Sequence, residues 1–168
     1  MTNIYFDFED GNGPVPAHQH PNGGGWVADT AKVDATARVG PDAEVSGNAW
    51  VYGDAEVYGN AWVYGDAEVS GNAEVSGNAQ VYGNATVYGD ARVYDDAQVY
   101  GDAEVYGNAK VYDDARVYGN AWVYGDAEVS GNEVVNGDET EKELIGILVK
   151  DRIFINGKWY VEEVEDDE

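Results

Sequence analysis

Residues 43–66 read Ala-Glu-Val-Ser-Gly-Asn, Ala-Trp-Val-Tyr-Gly-Asp, Ala-Glu-Val-Tyr-Gly-Asn, Ala-Trp-Val-Tyr-Gly-Asp. The same phrase, Ala-x-Val-(Tyr or Ser)-Gly-(Asn or Asp), continues with almost no drift in register from Ala43 to Asn132. In extended backbone, successive side chains point to opposite faces, so Ala and Val share one side while x and Tyr share the other. Each phrase is therefore a short strand that turns a small and a medium apolar residue inward. Gly followed by Asn or Asp supplies a corner, because these residues adopt left-handed or tight-turn backbone at the least cost. One phrase makes one side of a prism.

A repeat of such short, fixed period indicates a parallel β-helix. Counted outward in sixes, the pattern begins at Gly25-Trp26-Val27 and ends at Asp138, degenerating at both ends. Ala37-Arg38-Val39-Gly40-Pro41-Asp42, followed by Ala43, resembles the hexapeptide-repeat, left-handed parallel β-helix superfamily, whose usual phrase is a small residue, x, an aliphatic, Gly, x, x. Most later phrases depart from it by placing Tyr where the family prefers Gly. Their Tyr-Gly-Asn and Tyr-Gly-Asp wording also looks like uncharacterised bacterial and bacteriophage members. The resemblance implies an all-β, triangular, left-handed solenoid with three phrases per coil, hence 18 residues per turn and about six coils over residues 25–138. That hand is opposite to the general rule for parallel crossovers.

At 18 residues per turn, positions i and i+18 stack at the strand spacing of about 4.8 Å, and columns can be read. One face stacks Tyr88, Tyr106 and Tyr124, a second Tyr94 and Tyr112, and a third Tyr64, Tyr82, Tyr100 and Tyr118. Stacked rings at outward positions are expected to hold the rod together. At the corners, Asp54, Asn72, Asp90, Asn108 and Asp126 form one column, and Asn48, Asp66, Asn84, Asp102, Asn120 and Asp138 another. Alternation sets each carboxylate beside an amide donor instead of beside a like charge.

The third corner breaks the rule. Tyr94-Asp95-Asp96 and Tyr112-Asp113-Asp114 lie one turn apart and bring four carboxylates to adjacent coils, with Asp where Gly is usual. Oxygen ligands of this kind suit a Ca²⁺-like ion. The competing reading, and the one favoured, is neutralisation by Arg92, Lys110 and Arg116. The outward x positions carry no uniform column, so a flat Thr array of the ice-binding kind is absent. Trp26, Trp50, Trp62 and Trp122 are expected to be exposed, and large exposed aromatics mark contacts with other chains. Candidate protein-binding residues are thus Asp95, Asp96, Asp113, Asp114, Trp50, Trp62 and Trp122.

Residues 1–24 and 139–168 flank the repeat as caps. Ile4, Tyr5, Phe6 and Phe8 suggest a short strand, and Gly11, Gly13, Pro14 and Pro16 a turn-rich crossing segment. His18 and His20 are the only histidines. They form either a metal pair, with Asp7, Glu9 or Asp10 near in sequence, or part of a polar loop over the first coil. Glu139 to Val149 is expected to open as a helix capped by Asp138, with Leu144, Ile145 and Leu148 on one side. Ile153-Phe154-Ile155, Asn156-Gly157 and Trp159-Tyr160-Val161 carry a strong hairpin signal, and Glu162–Glu168 an acidic tail. A solenoid needs its open end covered, so this segment serves as a cap or oligomerisation element.

The chain of 168 residues has 22 Gly, 13 Tyr, 3 Phe and one Met, which requires a core of small residues. It has no Cys, hence no disulfide framework and no thiolate metal site. The lack of a signal-type apolar region and of a long apolar run makes a cytoplasmic location, away from membranes, the default. The net charge is −24, and residues 25–138 alone hold 20 acidic and five basic residues. Such a surface repels nucleic acid and attracts basic partners.

Many relatives that the resemblance brings in are trimeric acyltransferases, with a His on a coil-edge loop and basic residues for coenzyme A. A related carbonic anhydrase class binds Zn²⁺ through three His. Residues 25–138 contain no His, so no cofactor, no metal and no catalytic residue is expected. The expectation is a non-enzymatic acidic protein that inhibits a basic, nucleic-acid-binding partner by mimicking DNA. The alternatives are a structural module forming a homo-oligomer and, behind it, an acyltransferase-like enzyme.

Overall fold

A computed structural model describes residues 4–137 and, beyond them, the backbone of the strands Leu144–Gly146, Arg152–Ile155 and Lys158–Val161. Every described element is a β-strand, most of only two residues. Three parallel sheets form the faces of a solenoid. The first stacks Trp26–Ala28, Glu44–Val45, Trp62–Val63, Gln80–Val81, Gln98–Val99, Arg116–Gly119 and Val134–Gly137. The second runs from Lys32–Val33 through Trp122–Tyr124, and the third from Arg38–Val39 through Glu128–Val129. Within each face, consecutive strands pair in register, as Glu44 with Trp62, Glu68 with Thr86 and Glu74 with Arg92. Paired side chains are separated by 18 residues in sequence, so the solenoid has about six coils.

The interior contains only what the phrase supplies. Each repeat Ala and Val from Ala37 to Val123 is fully buried, in one continuous cluster. Among the described residues this cluster holds no side chain larger than Val, in keeping with a chain of only 3 Phe and one Met. Corners stack as tightly as faces: the amide of Asn48 donates to the Gly65 carbonyl at 2.7 Å, and that of Asp66 to Gly83 at 2.8 Å.

The N-terminal segment is more regular than its prolines suggest. Tyr5–Phe6 and Val15–Gln19 form antiparallel strands, and the second pairs antiparallel with Trp26–Ala28, extending the first face below the coils. Pro16 is tolerated because its carbonyl is what the ladder uses, accepting from the Asp29 amide at 2.9 Å. Phe8, Ala17 and Ala28 form a small second core, with Phe6 stacked on Trp26 at 4.5 Å.

At the other end, the helix expected over Glu139–Val149 is corrected where it is described. Leu144–Gly146 is a strand pairing parallel with Trp122–Tyr124, Leu144 opposite Trp122. The last coil of the second face presents an open edge whose unpaired amides and carbonyls outweigh a weak helical pattern. The rest of that expected helix, and the acidic tail, lie outside the described residues. Arg152–Ile155 and Lys158–Val161 form the expected hairpin, with Phe154 opposite Trp159 and Ile155 opposite Lys158.

Candidate functional site

Along two corners the carboxylates are held in position. Asn48 donates through Nδ2 to Asp66 at 3.0 Å, Asn84 to Asp102 at 2.8 Å, Asn72 to Asp90 at 2.9 Å and Asn108 to Asp126 at 2.8 Å. Each amide serves the carboxylate of the next coil, so the columns are chains of Asn–Asp pairs. One oxygen of each Asp is fixed and the residue stays exposed, with charges repeating every second coil, or about 9.6 Å.

The third corner has a different construction. Asp95 and Asp113 occupy the glycine position and take its left-handed backbone, with φ of 58° and 57°. Asp tolerates this conformation better than most residues with a Cβ. The two Cβ atoms still push the coils apart: the Asp96 amide reaches the Asp113 carbonyl at 3.1 Å, against 2.7 Å from Asn78 to Asp95 one coil below. Asp113 is anchored by the Gly131 amide at 3.1 Å, and Asp96 by Asn78 Nδ2 at 2.9 Å.

Two of the three cations expected to neutralise this edge, Arg92 and Lys110, are engaged elsewhere. Arg92 lies 3.6 Å from Glu74 and Lys110 lies 2.6 Å from Glu128, a contact that raises the Lys110 pKa above its ordinary value. Among the described residues no ion pair joins Arg92, Lys110 or Arg116 to Asp95, Asp96, Asp113 or Asp114. No group of three or more His, Cys, Asp or Glu there is arranged to hold a metal ion. The two histidines also part company. Exposed His18 pairs with Asp29 at 2.9 Å, while His20 is buried and holds the turn at Asn22.

The expected tyrosine columns are present. Tyr64, Tyr82, Tyr100 and Tyr118 stack at 4.8 Å, the Tyr88–Tyr106 pair at 4.8 Å and Tyr94–Tyr112 at 5.0 Å, with rings within 6° of parallel. Serine interrupts them. Ser76 leaves an open cleft of about 340 Å³ between Tyr58 and Tyr94, bordered by Glu74, Arg92 and Lys110.

Of the four tryptophans expected to be exposed, only Trp50 is, at 41 %; Trp26, Trp62 and Trp122 are half-buried. Trp26 is covered by Phe6, and Trp62 borders a pocket under the N-terminal loop. Trp50 lies against Tyr52 at 4.6 Å, with the Lys32 ammonium 5.6 Å from its ring. The structure thus groups Asp95, Asp96, Asp113 and Asp114 on one corner, whereas Trp50 and Trp122 lie on the second face and Trp62 on the first.

A family model for the YdcK beta solenoid repeat matches residues 79–95 and 109–125. Those segments are coils whose strands, corners and tyrosine columns have just been described. The chain is a parallel β-solenoid. No curated protein and no solved structure matched it.

The solenoid presents two kinds of surface, exposed carboxylates on stiff corners and half-covered aromatic rings on the faces. One constellation was missed from sequence, where Phe8 and Asp10 close over Glu44, Ser46, Trp62 and Tyr64. The place of Glu44 between Trp26 and Trp62 was legible in the 18-residue register. The return of residues 7–14 over that face was not, because no local signal fixes where a loop folds back.

Proposed function

We propose that this solenoid is a non-enzymatic interaction protein whose acidic corners bind a basic, nucleic-acid-binding protein in place of DNA and so inhibit it. The observation that carries this reading is the orientation of the corner carboxylates. Asp66, Asp90, Asp102 and Asp126 are each fixed by an asparagine amide yet remain exposed. A charged side chain already ordered loses little entropy on binding, and regularly spaced carboxylates reproduce the repeating negative charge that DNA-binding surfaces recognise. Net charge supports the same reading. Residues 25–138 carry 20 acidic and five basic residues over about 30 Å of rod, while duplex DNA carries one charge per about 1.7 Å of axis.

The test is capture of proteins from a bacterial lysate at low salt on immobilised solenoid, followed by washing with duplex DNA. The reading expects nucleic-acid-binding proteins to be retained and then released by the duplex. Retention that DNA leaves untouched, or none at all, contradicts it.

Exposed Trp50 favours a second reading, assembly of several copies through the second face. That reading expects a salt-resistant oligomer that Trp50→Ser converts to monomer, read by mass photometry.

A further inference from the structure

Glu44 is a half-buried carboxylate that, among the described residues, has no partner of opposite charge. It lies in register between Trp26 one coil below and Trp62 one coil above. On the third face Glu56, Glu74 and Glu128 face Arg38, Arg92 and Lys110, but no cation pairs with Glu44 among the described residues. Burial pushes its carboxyl above the usual range, and the charge of Glu9 adds to the effect. Burying a charge is costly unless something compensates it.

The surroundings define what would compensate it. The loop between Tyr5–Phe6 and Val15–Gln19 brings buried Phe8 over the first face, closing a pocket of about 230 Å³ with Glu44, Ser46, Trp62 and Tyr64. Ser46 makes the room, since the tyrosine column of this face begins one coil above it, at Tyr64. Asp10 stands at the mouth. Bonds from the Asn12 amide at 2.9 Å and from Asn12 Nδ2 at 3.0 Å fix it and hold its carboxyl below the usual range, so it stays charged.

Three kinds of aromatic ring and two carboxylates around one small space select a particular guest. A neutral apolar group would deepen the desolvation of Glu44. A bare metal ion would find indole and phenyl rings where it needs oxygen ligands. A cation sheathed in methyl or methylene groups satisfies both, because aromatic faces attract positive charge and bury apolar substituents. We propose that the pocket formed by Phe8, Asp10, Glu44, Ser46, Trp62 and Tyr64 binds an alkylammonium group, its charge toward Glu44 and Asp10 and its carbon atoms against the three rings. The site requires no protein partner and stands whether or not the acidic corners bind one.

Titration calorimetry on the full chain tests this with choline, with N-acetyl-lysine methylamide, and with the neutral isostere of choline in which carbon replaces the quaternary nitrogen. The expected result is saturable binding of at least one cation, with the isostere about tenfold or more weaker. Glu44→Gln and, separately, Trp62→Leu should each reduce cation affinity by a similar factor while circular dichroism stays that of the folded rod. Tighter binding of choline assigns the site to a free quaternary ammonium compound, and tighter binding of the lysine derivative to a side chain of another protein. Equal binding of choline and its isostere, no saturable binding of either cation, or unchanged affinity in folded Glu44→Gln would each overturn the proposal.

Discussion

A methyl group at position 83 is crowded by the coil above. Gly83 has φ of +72°, and a Cβ there would lie 3.0 Å from the Gly101 nitrogen and 3.2 Å from its oxygen, backbone atoms that cannot turn away. Gly83→Ala should therefore cost about 1–3 kcal/mol, read as a lowered midpoint in denaturant. Asp95 is the opposite case, a side chain where the column favours glycine. Asp95→Gly removes a left-handed backbone cost and one of the four carboxylates on this corner, and should stabilise the rod by up to about 1 kcal/mol. Asp113→Gly should gain less, because Asp113 alone of the two accepts a bond from the Gly131 amide. The break at Asp95 and Asp113 was legible, since a sixfold phrase makes every departure visible. That Arg92 and Lys110 turn to Glu74 and Glu128 was not, because outward side chains of neighbouring coils offer them several carboxylates at similar distances.

The stacked faces show what serine does at the scale of a column. Filling the space between Tyr58 and Tyr94 by Ser76→Tyr should unite them with Tyr112 into one stack and raise stability by about 0.5–1.5 kcal/mol, measured by thermal unfolding. The columns also set a limit at high pH. Burial, with the neighbouring tyrosine second, pushes the phenols of Tyr64, Tyr82 and Tyr94 above their ordinary value of 10.0. The fold thus favours the neutral phenol. Its stabilisation is complete below the unfolded value and is lost as pH rises through the folded ones. Melting temperature should hold steady up to about pH 10 and fall beyond it, with phenolate absorbance rising in step with unfolding. A phenolate signal that rises fully at the unperturbed value without loss of structure would count against the columns as a stabilising element. Tyrosine columns and asparagine–aspartate pairs were readable from the 18-residue register, because period alone decides which residues meet. The strand at Leu144–Gly146 was not, because its conformation is decided by the open edge at Trp122–Tyr124, a feature of the coil below it and not of its own residues.

For the whole molecule, the repeat separates two tasks. Alanine and valine inside, with glycine at the corners, build a rod that tolerates nearly any outward residue. The outward residues are then free to carry a surface that is strongly acidic throughout. Fold was legible because one six-residue phrase repeated many times leaves few arrangements open. Function was legible only as a bias of charge, since partners read side-chain positions that the core does not dictate. The corner alternation provides its own control, because asparagine already occupies each of these columns on every second coil, and one such Asn–Asn contact, Asn60 to Asn78 at 3.1 Å, forms on the third corner. Replacing Asp54, Asp66, Asp90, Asp102 and Asp126 together by asparagine should therefore keep the coils while removing the charges. Side-by-side capture by the two rods at low salt, with circular dichroism to confirm folding, decides whether the corner carboxylates hold the partner. If they do, the asparagine rod folds but no longer retains the proteins that duplex DNA releases from the native one; retention at the native level would show that the corner charges are not what binds.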